Sequence, residues 1–169
     1  MMRLVLVLLC VAFVLLAVFG MRRGWTNRGR RQANLALPPP VPEQLGPPTA
    51  PAMTGLYVGT TYASSWQDRI VHGRLGVRAD ADATVSADGV LIERSGADPV
   101  FIPAAAISGV RLAPGLAGKV VGEGGLLVVR WRLGDAEVDT GLRGDDRSLY
   151  PAWVHAIDEI VATTVRSGR

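Results

Sequence analysis

Leu127-Val128-Val129-Arg130-Trp131-Arg132-Leu133-Gly134-Asp135-Ala136-Glu137-Val138-Asp139-Thr140-Gly141-Leu142 decides the fold. Apolar and polar residues alternate with a period of two on both sides of Gly134-Asp135. That pattern is a half-buried strand, a two-residue turn and a returning strand. Closing the hairpin there pairs Leu133 with Ala136, Trp131 with Val138, Val129 with Thr140 and Leu127 with Leu142, all on one apolar face. The other face pairs Arg132 with Glu137 and Arg130 with Asp139. Opposite charges directly across an antiparallel ladder contribute about 0.2–1 kcal/mol each. These four charges therefore read as a solvated sheet face held in register, and Trp131 as a core residue.

Towards the C-terminus, Asp145, Asp146 and Ser148 offer helix N-caps, and Pro151 is tolerated in a first turn. Tyr150, Val154, Ile157, Val161 and Val165 recur at helical spacing, with Trp153 and Ile160 beside them. His155, Asp158, Glu159, Ala162 and Arg166 line the opposite side. A helix with one apolar stripe needs a sheet to bury it. Towards the N-terminus, Asp88-Gly89 predicts a second hairpin that pairs Ala87 with Val90 and Val85 with Ile92. Ser86/Leu91 and Thr84/Glu93 then share its other face. Further strands are expected at Leu56–Tyr62, Ile70–Val77, Val100–Ile102 and Ile107–Leu112. Pro99 and Pro103 bracket one of them and suit an edge or corner.

Seven of the 11 prolines fall between Ala33 and Met53. Such a run favours polyproline II at about 3.1 Å per residue, so residues 33–53 read as a semi-stiff linker. Ahead of it, Leu4 to Met21 is an 18-residue stretch without charge. At 1.5 Å per residue it spans roughly 27 Å, close to the thickness of a bilayer core. Arginines flank both ends and Ala17-Val18-Phe19-Gly20 is a poor cleavage site, so a retained signal-anchor is expected rather than a cleaved signal peptide. Arg22, Arg23, Arg28, Arg30 and Arg31 follow the span and only Arg3 precedes it. The positive-inside rule places the N-terminus outside and the C-terminal domain in the cytoplasm, at the plasma membrane. Anionic lipid headgroups are the expected partners of Arg22–Arg31.

This division explains the charge. The whole chain carries net +3. Residues 1–31 hold six arginines and no acid, and the remaining residues hold 12 basic and 15 acidic groups. The basic character belongs to the membrane flank, which removes the case for a nucleic-acid partner. Cys10 is the only cysteine, so an internal disulfide and a cysteine-based zinc site are excluded.

The organisation is thus an anchor at 1–32, a linker at 33–53 and one domain at 54–169. The domain is mainly β (α+β): a bent antiparallel sheet or open barrel of about seven strands, capped by a C-terminal helix. Gly59-Thr60-Thr61, Trp66-Gln67-Asp68-Arg69-Ile70 and Leu75-Gly76 lead it. Ala117-Gly118-Lys119-Val120-Val121, Leu127-Val128-Val129-Arg130-Trp131 and Asp139-Thr140-Gly141 follow. In this order, behind a single span, they resemble the actinobacterial membrane proteins with a pleckstrin-homology (PH)-like domain, over residues 54–167. The resemblance implies a membrane-tethered binding domain and no reaction. PH domains that bind phosphoinositides gather Lys and Arg between their first two strands. Tyr62-Ala63-Ser64-Ser65-Trp66-Gln67 holds no cation there, which argues against headgroup binding by that route.

No pattern in the domain assembles a catalytic site. His72 and His155 lack a nucleophile elbow or a second histidine at ligand spacing. Gly118-Lys119 is followed by Val120 and preceded by Ala113 where a phosphate loop needs Ser/Thr and Gly, so a mobile glycine loop between strands is expected. Asp80-Ala81-Asp82 lacks the remaining calcium ligands and reads as a solvated turn. No cofactor and no metal are expected. Trp66, Asp68, Arg69 and Lys119 form the candidate binding surface, with Trp66 either on its rim or in the core. The expected function is a non-enzymatic membrane-anchored binding or scaffolding module with a protein partner. The alternative is an accessory subunit of a membrane transport or export complex, in which a single span would need partners to form a pathway.

Overall fold

A computed structural model describes residues 10–20, 35–120, 122 and 125–167. The chain divides between Asn34 and Leu35 into two units. In the first, residues 10–20 are helical (α1). Among the described residues no helix is long and apolar enough to cross a membrane. The two ends of the expected Leu4–Met21 span, and Arg22 to Arg31, lie outside the described residues.

The second unit is built on one seven-stranded antiparallel sheet. Its strands are β1 (Met53–Tyr62), β2 (Ala79–Ser86), β3 (Gly89–Arg94), β4 (Ala97–Pro103), β5 (Ile107–Ala113), β8 (Leu126–Leu133) and β9 (Ala136–Gly144). The spatial order is β4-β3-β2-β1-β9-β8-β5. A separate two-stranded ladder joins β6 (Gly115–Leu116) to β7 (Lys119–Val120). Helix α2 (Tyr150–Ser167) follows β9. Val100 and Ile102 of edge strand β4 share one buried cluster with Ile107 of the opposite edge, β5, and with Trp153 and Ile157 of α2. Strands lie about 4.8 Å apart, so a flat sheet would keep those edges far from each other. The sheet is bent around its core and left open between β4 and β5.

The central hairpin has the register that its alternation dictates, from Leu127↔Leu142 to Leu133↔Ala136. The helix buries Tyr150, Trp153, Ala156, Ile157 and Ile160, while Val165 is exposed. Asp146 accepts from the Ser148 backbone N–H at 2.9 Å and caps the 3-10 turn Arg147–Leu149 that leads into the helix. Pro99 does lie on an edge strand.

Three local expectations are corrected. The β2–β3 pairing is Val85↔Val90 and Ser86↔Gly89, a slip of two residues from the expected register. Gly89 is not in the turn. A Cβ there would stand 2.1 Å from the Ile102 carbonyl oxygen, so glycine serves the close approach of β4. A two-residue slip preserves side-chain facing, so Val85, Val90 and Ile92 stay in the core. Ile70–Val77 is not a strand, because Gly73 and Arg74 take positive φ of 60° and 56° and turn the chain through a 3-10 turn at His72–Arg74. Its apolar ends, Ile70 and Leu75, plug the core instead. Asp80 and Asp82 stand in strand β2, not in a turn.

The proline-rich segment lies on the domain. The Thr49 N–H donates to the Val85 carbonyl at 2.9 Å, Pro48 bridges Ser86, and the Trp153 indole donates to the Pro51 carbonyl at 2.9 Å. These bonds add residues 48–51 to the fold, inside the stretch read as a spacer.

Inside the sheet runs a chain of polar groups with a forced direction. The Tyr57 hydroxyl donates to the Leu75 carbonyl at 2.7 Å. It must therefore accept from Thr60, 2.7 Å away, which in turn accepts from Thr140 at 2.8 Å. Thr140 accepts from the Trp131 indole N–H at 2.9 Å. A bulge between Tyr57 and Gly59 is what turns both Tyr57 and Thr60 inward. Burial pushes the Tyr57 phenol up to about 12, although the Thr60 bond and Arg94 pull the other way.

Candidate functional site

The candidate site begins where β1 ends. Ser65 donates its N–H to the Tyr62 carbonyl, Asp68 to the Ser65 carbonyl and Tyr62 to the Asp68 carbonyl, folding residues 62–68 into a tight excursion. Trp66 sits at its tip, 43% exposed. Ile70 and Leu75, both fully buried, hold the base of the loop.

The β6–β7 hairpin meets this loop at one residue. Ala117 has φ of 53°, a left-handed conformation that costs a side-chain-bearing residue about 1–2 kcal/mol. Both of its backbone groups are committed to the loop. Its N–H donates to the Trp66 carbonyl at 2.7 Å, and its carbonyl accepts from Arg69 Nη2 at 2.9 Å. Arg69 Nη1 also donates to the Gly76 carbonyl at 2.7 Å. The segment expected to be a mobile glycine loop is thus a pinned hairpin, with Ala117-Gly118 as its turn. Beneath it, Leu116 packs over Gly141, where a Cβ would come within 2.6 Å of Leu116 Cδ2. Val58, Ala113, Leu116, Ala117, Leu126 and Val128 form a second apolar cluster, separate from the main core.

Between Trp66 and this hairpin lies an open groove of ≈ 310 Å³, lined by Trp66, Arg111, Ala113, Pro114, Gly115 and Val120. Its charged lining residue, Arg111, belongs to a charge cluster on the outer sheet face. Arg130 grips the Asp139 carboxylate through Nε at 2.9 Å and Nη2 at 3.1 Å. Arg111 adds a bond from Nη2 at 2.9 Å. Asp139 is only 2% exposed, so the Arg130–Asp139 pair is right but its solvated setting is not. A second arginine arriving from β5 explains the burial. Desolvation alone would raise the Asp139 carboxyl, and the bonds from Arg130 and Arg111 outweigh it and hold the group below its ordinary value.

The expected surface residues divide by role. Trp66 is on the rim, exposed, and not in the core. Arg69 reaches the same place, but as a strut holding two carbonyls. Asp68 is exposed on the loop and does not line the groove. Lys119 lends its backbone to β7, and its side chain lies outside the described residues. His72 stands in the 3-10 turn, and His155 lies 3.3 Å from Glu159 on the exposed side of α2. Sequence reasoning missed Arg111, Ala113, Pro114 and Val120. The available signal was that Arg111 and Ala113 share one face of their strand, two residues apart.

Residues 35–158 match the family described as bacterial PH domain-like. No curated protein matches the chain.

Proposed function

Because the chain belongs to the bacterial PH domain-like family, we propose that it works as a non-enzymatic binding module, and that the groove beside Trp66 is its ligand surface. One observation carries the choice of surface. An aromatic side chain is held out at a loop tip by a pinned backbone instead of collapsing into the core. Trp66 shares its groove with the exposed Val120, and an exposed apolar patch at a fixed position marks a contact site.

Leu4–Met21 is a single-pass anchor of the actinobacterial kind, and Arg22–Arg31 keep the domain on the cytoplasmic face of the plasma membrane. Confinement beside a bilayer raises the effective concentration of partners held there, so modest affinities suffice. The test is cell fractionation of the full chain and of a chain lacking residues 1–32. The full chain is expected to sediment with membranes and resist alkaline extraction, and the truncated chain to become soluble and folded. A truncated chain that still sediments with washed membranes would refute the anchor.

A further inference from the structure

We infer that the groove takes an acidic peptide segment of a partner protein, which places a carboxylate on Arg111 and a neighbouring apolar side chain between Trp66 and Val120. The inference rests on the groove being the ligand surface, and it names what that surface recognises.

The charge count gives the first half. Two guanidinium groups, Arg111 and Arg130, share the single carboxylate of Asp139. Arg130 takes two of the three bonds, and Glu137 adds negative charge near Arg130. Glu137 is itself the cross-strand neighbour of Arg132. The positive charge left over therefore resides at the Arg111 end, where the groove begins. Arg111 is 42% exposed and gives only one Nη2 bond, so among the described residues its Nε and Nη1 donors meet no acceptor. Nη2 carries a second hydrogen beyond its bond to Asp139, parallel to either the Nε or the Nη1 N–H, and such a pair of donors suits a carboxylate.

The walls give the second half. Trp66, Ala113, Pro114 and Val120 are apolar, and Val120 is 72% exposed. A bare inorganic anion would satisfy Arg111 and leave these walls wet. An uncharged apolar ligand would fill the walls and leave Arg111 unmatched. The groove is open along one side and has a volume of ≈ 310 Å³, so two neighbouring side chains can enter it from a backbone that stays outside. An acidic residue next to an apolar one, carried on a peptide, uses every wall at once.

The test selects peptides from a random phage-displayed library on the full-length protein in detergent micelles. Binding of fluorescein-labelled winners is then measured by anisotropy. The enriched sequences are expected to share Asp or Glu beside an apolar residue. Arg111→Gln should weaken binding about tenfold or more, as loss of a charge-assisted bond does, with Arg111→Lys between it and wild type. Trp66→Ala should weaken it about tenfold or more, as loss of an aromatic anchor does. Arg130 keeps its two bonds to Asp139 in Arg111→Gln, and near-UV circular dichroism checks that both variants stay folded. If Trp66→Ala abolishes binding while Arg111→Gln does not, and the winners carry no acid, the groove stands and the acidic class is overturned. If both variants bind as wild type does, the groove itself is refuted. If no peptide is enriched, and phosphatidylserine vesicles bind in an Arg111-dependent way, the anion is a lipid headgroup and the peptide inference falls.

Discussion

The two faces of the central sheet solve the same problem in opposite ways. On the inner face, Trp131 is fully buried and its indole N–H starts a directed chain through Thr140, Thr60 and Tyr57 to the Leu75 carbonyl. Every donor in that chain is spent inside the protein. On the outer face, Trp66 is left in solvent and Arg111 keeps donors beyond its bond to Asp139. The inner face is closed and serves stability. The outer face at the β6–β7 hairpin is rigid but unfinished, as a recognition surface has to be before its ligand arrives.

Substituting the inner tryptophan should break the comparison most violently. Trp131→Ala removes a large buried side chain together with the N–H that Thr140 accepts from, and should cost about 3–5 kcal/mol in urea unfolding. Trp66→Ala, made in parallel, should change stability by no more than about 0.5 kcal/mol. Equal costs would mean that Trp66 is structural.

The pH dependence should separate the faces more finely. Tyr57 is raised to about 12 from an ordinary value of 10.0, so the unfolded chain ionises first. Its contribution is complete below pH 10 and should fall by about 2–3 kcal/mol as pH climbs to about 12, at 1.36 kcal/mol per unit. Asp139 is lowered, so its contribution is complete above the usual carboxylate range and is lost as pH falls through about 4 and below. Asp139→Asn should flatten the acid limb and leave the alkaline limb intact. Tyr57→Phe should do the reverse, in equilibrium unfolding followed across pH.

What the sequence revealed follows the same line. Alternation around Gly134-Asp135 yielded the register of β8 and β9 residue by residue, because one face was buried and a slip by one residue would have inverted it. Asp88-Gly89 misled because the glycine was needed for the approach of β4, a tertiary demand invisible in a local turn signal. Ile70–Val77 misled because apolar residues that plug a core through a loop look like those of a strand. The site was half legible. Trp66 stood out as an aromatic in a polar stretch, but Arg69 reads as a free cation until its two carbonyl partners are seen. The groove's other wall comes from β5 and the hairpin, some 45–55 residues further along the chain, and no local pattern joins them.

The indole N–H signals of Trp66, Trp131 and Trp153, followed by NMR in the full-length protein, test the account most directly. Trp131 and Trp153 donate to Thr140 and Pro51 and are fully buried, so their indole protons should exchange slowly with solvent. Trp66 should exchange fast, and its signal should be the one of these three that shifts when a selected acidic peptide is added. A slowly exchanging Trp66, or a peptide that shifts Trp131 and leaves Trp66 in place, would contradict the division between a closed inner face and an open outer one.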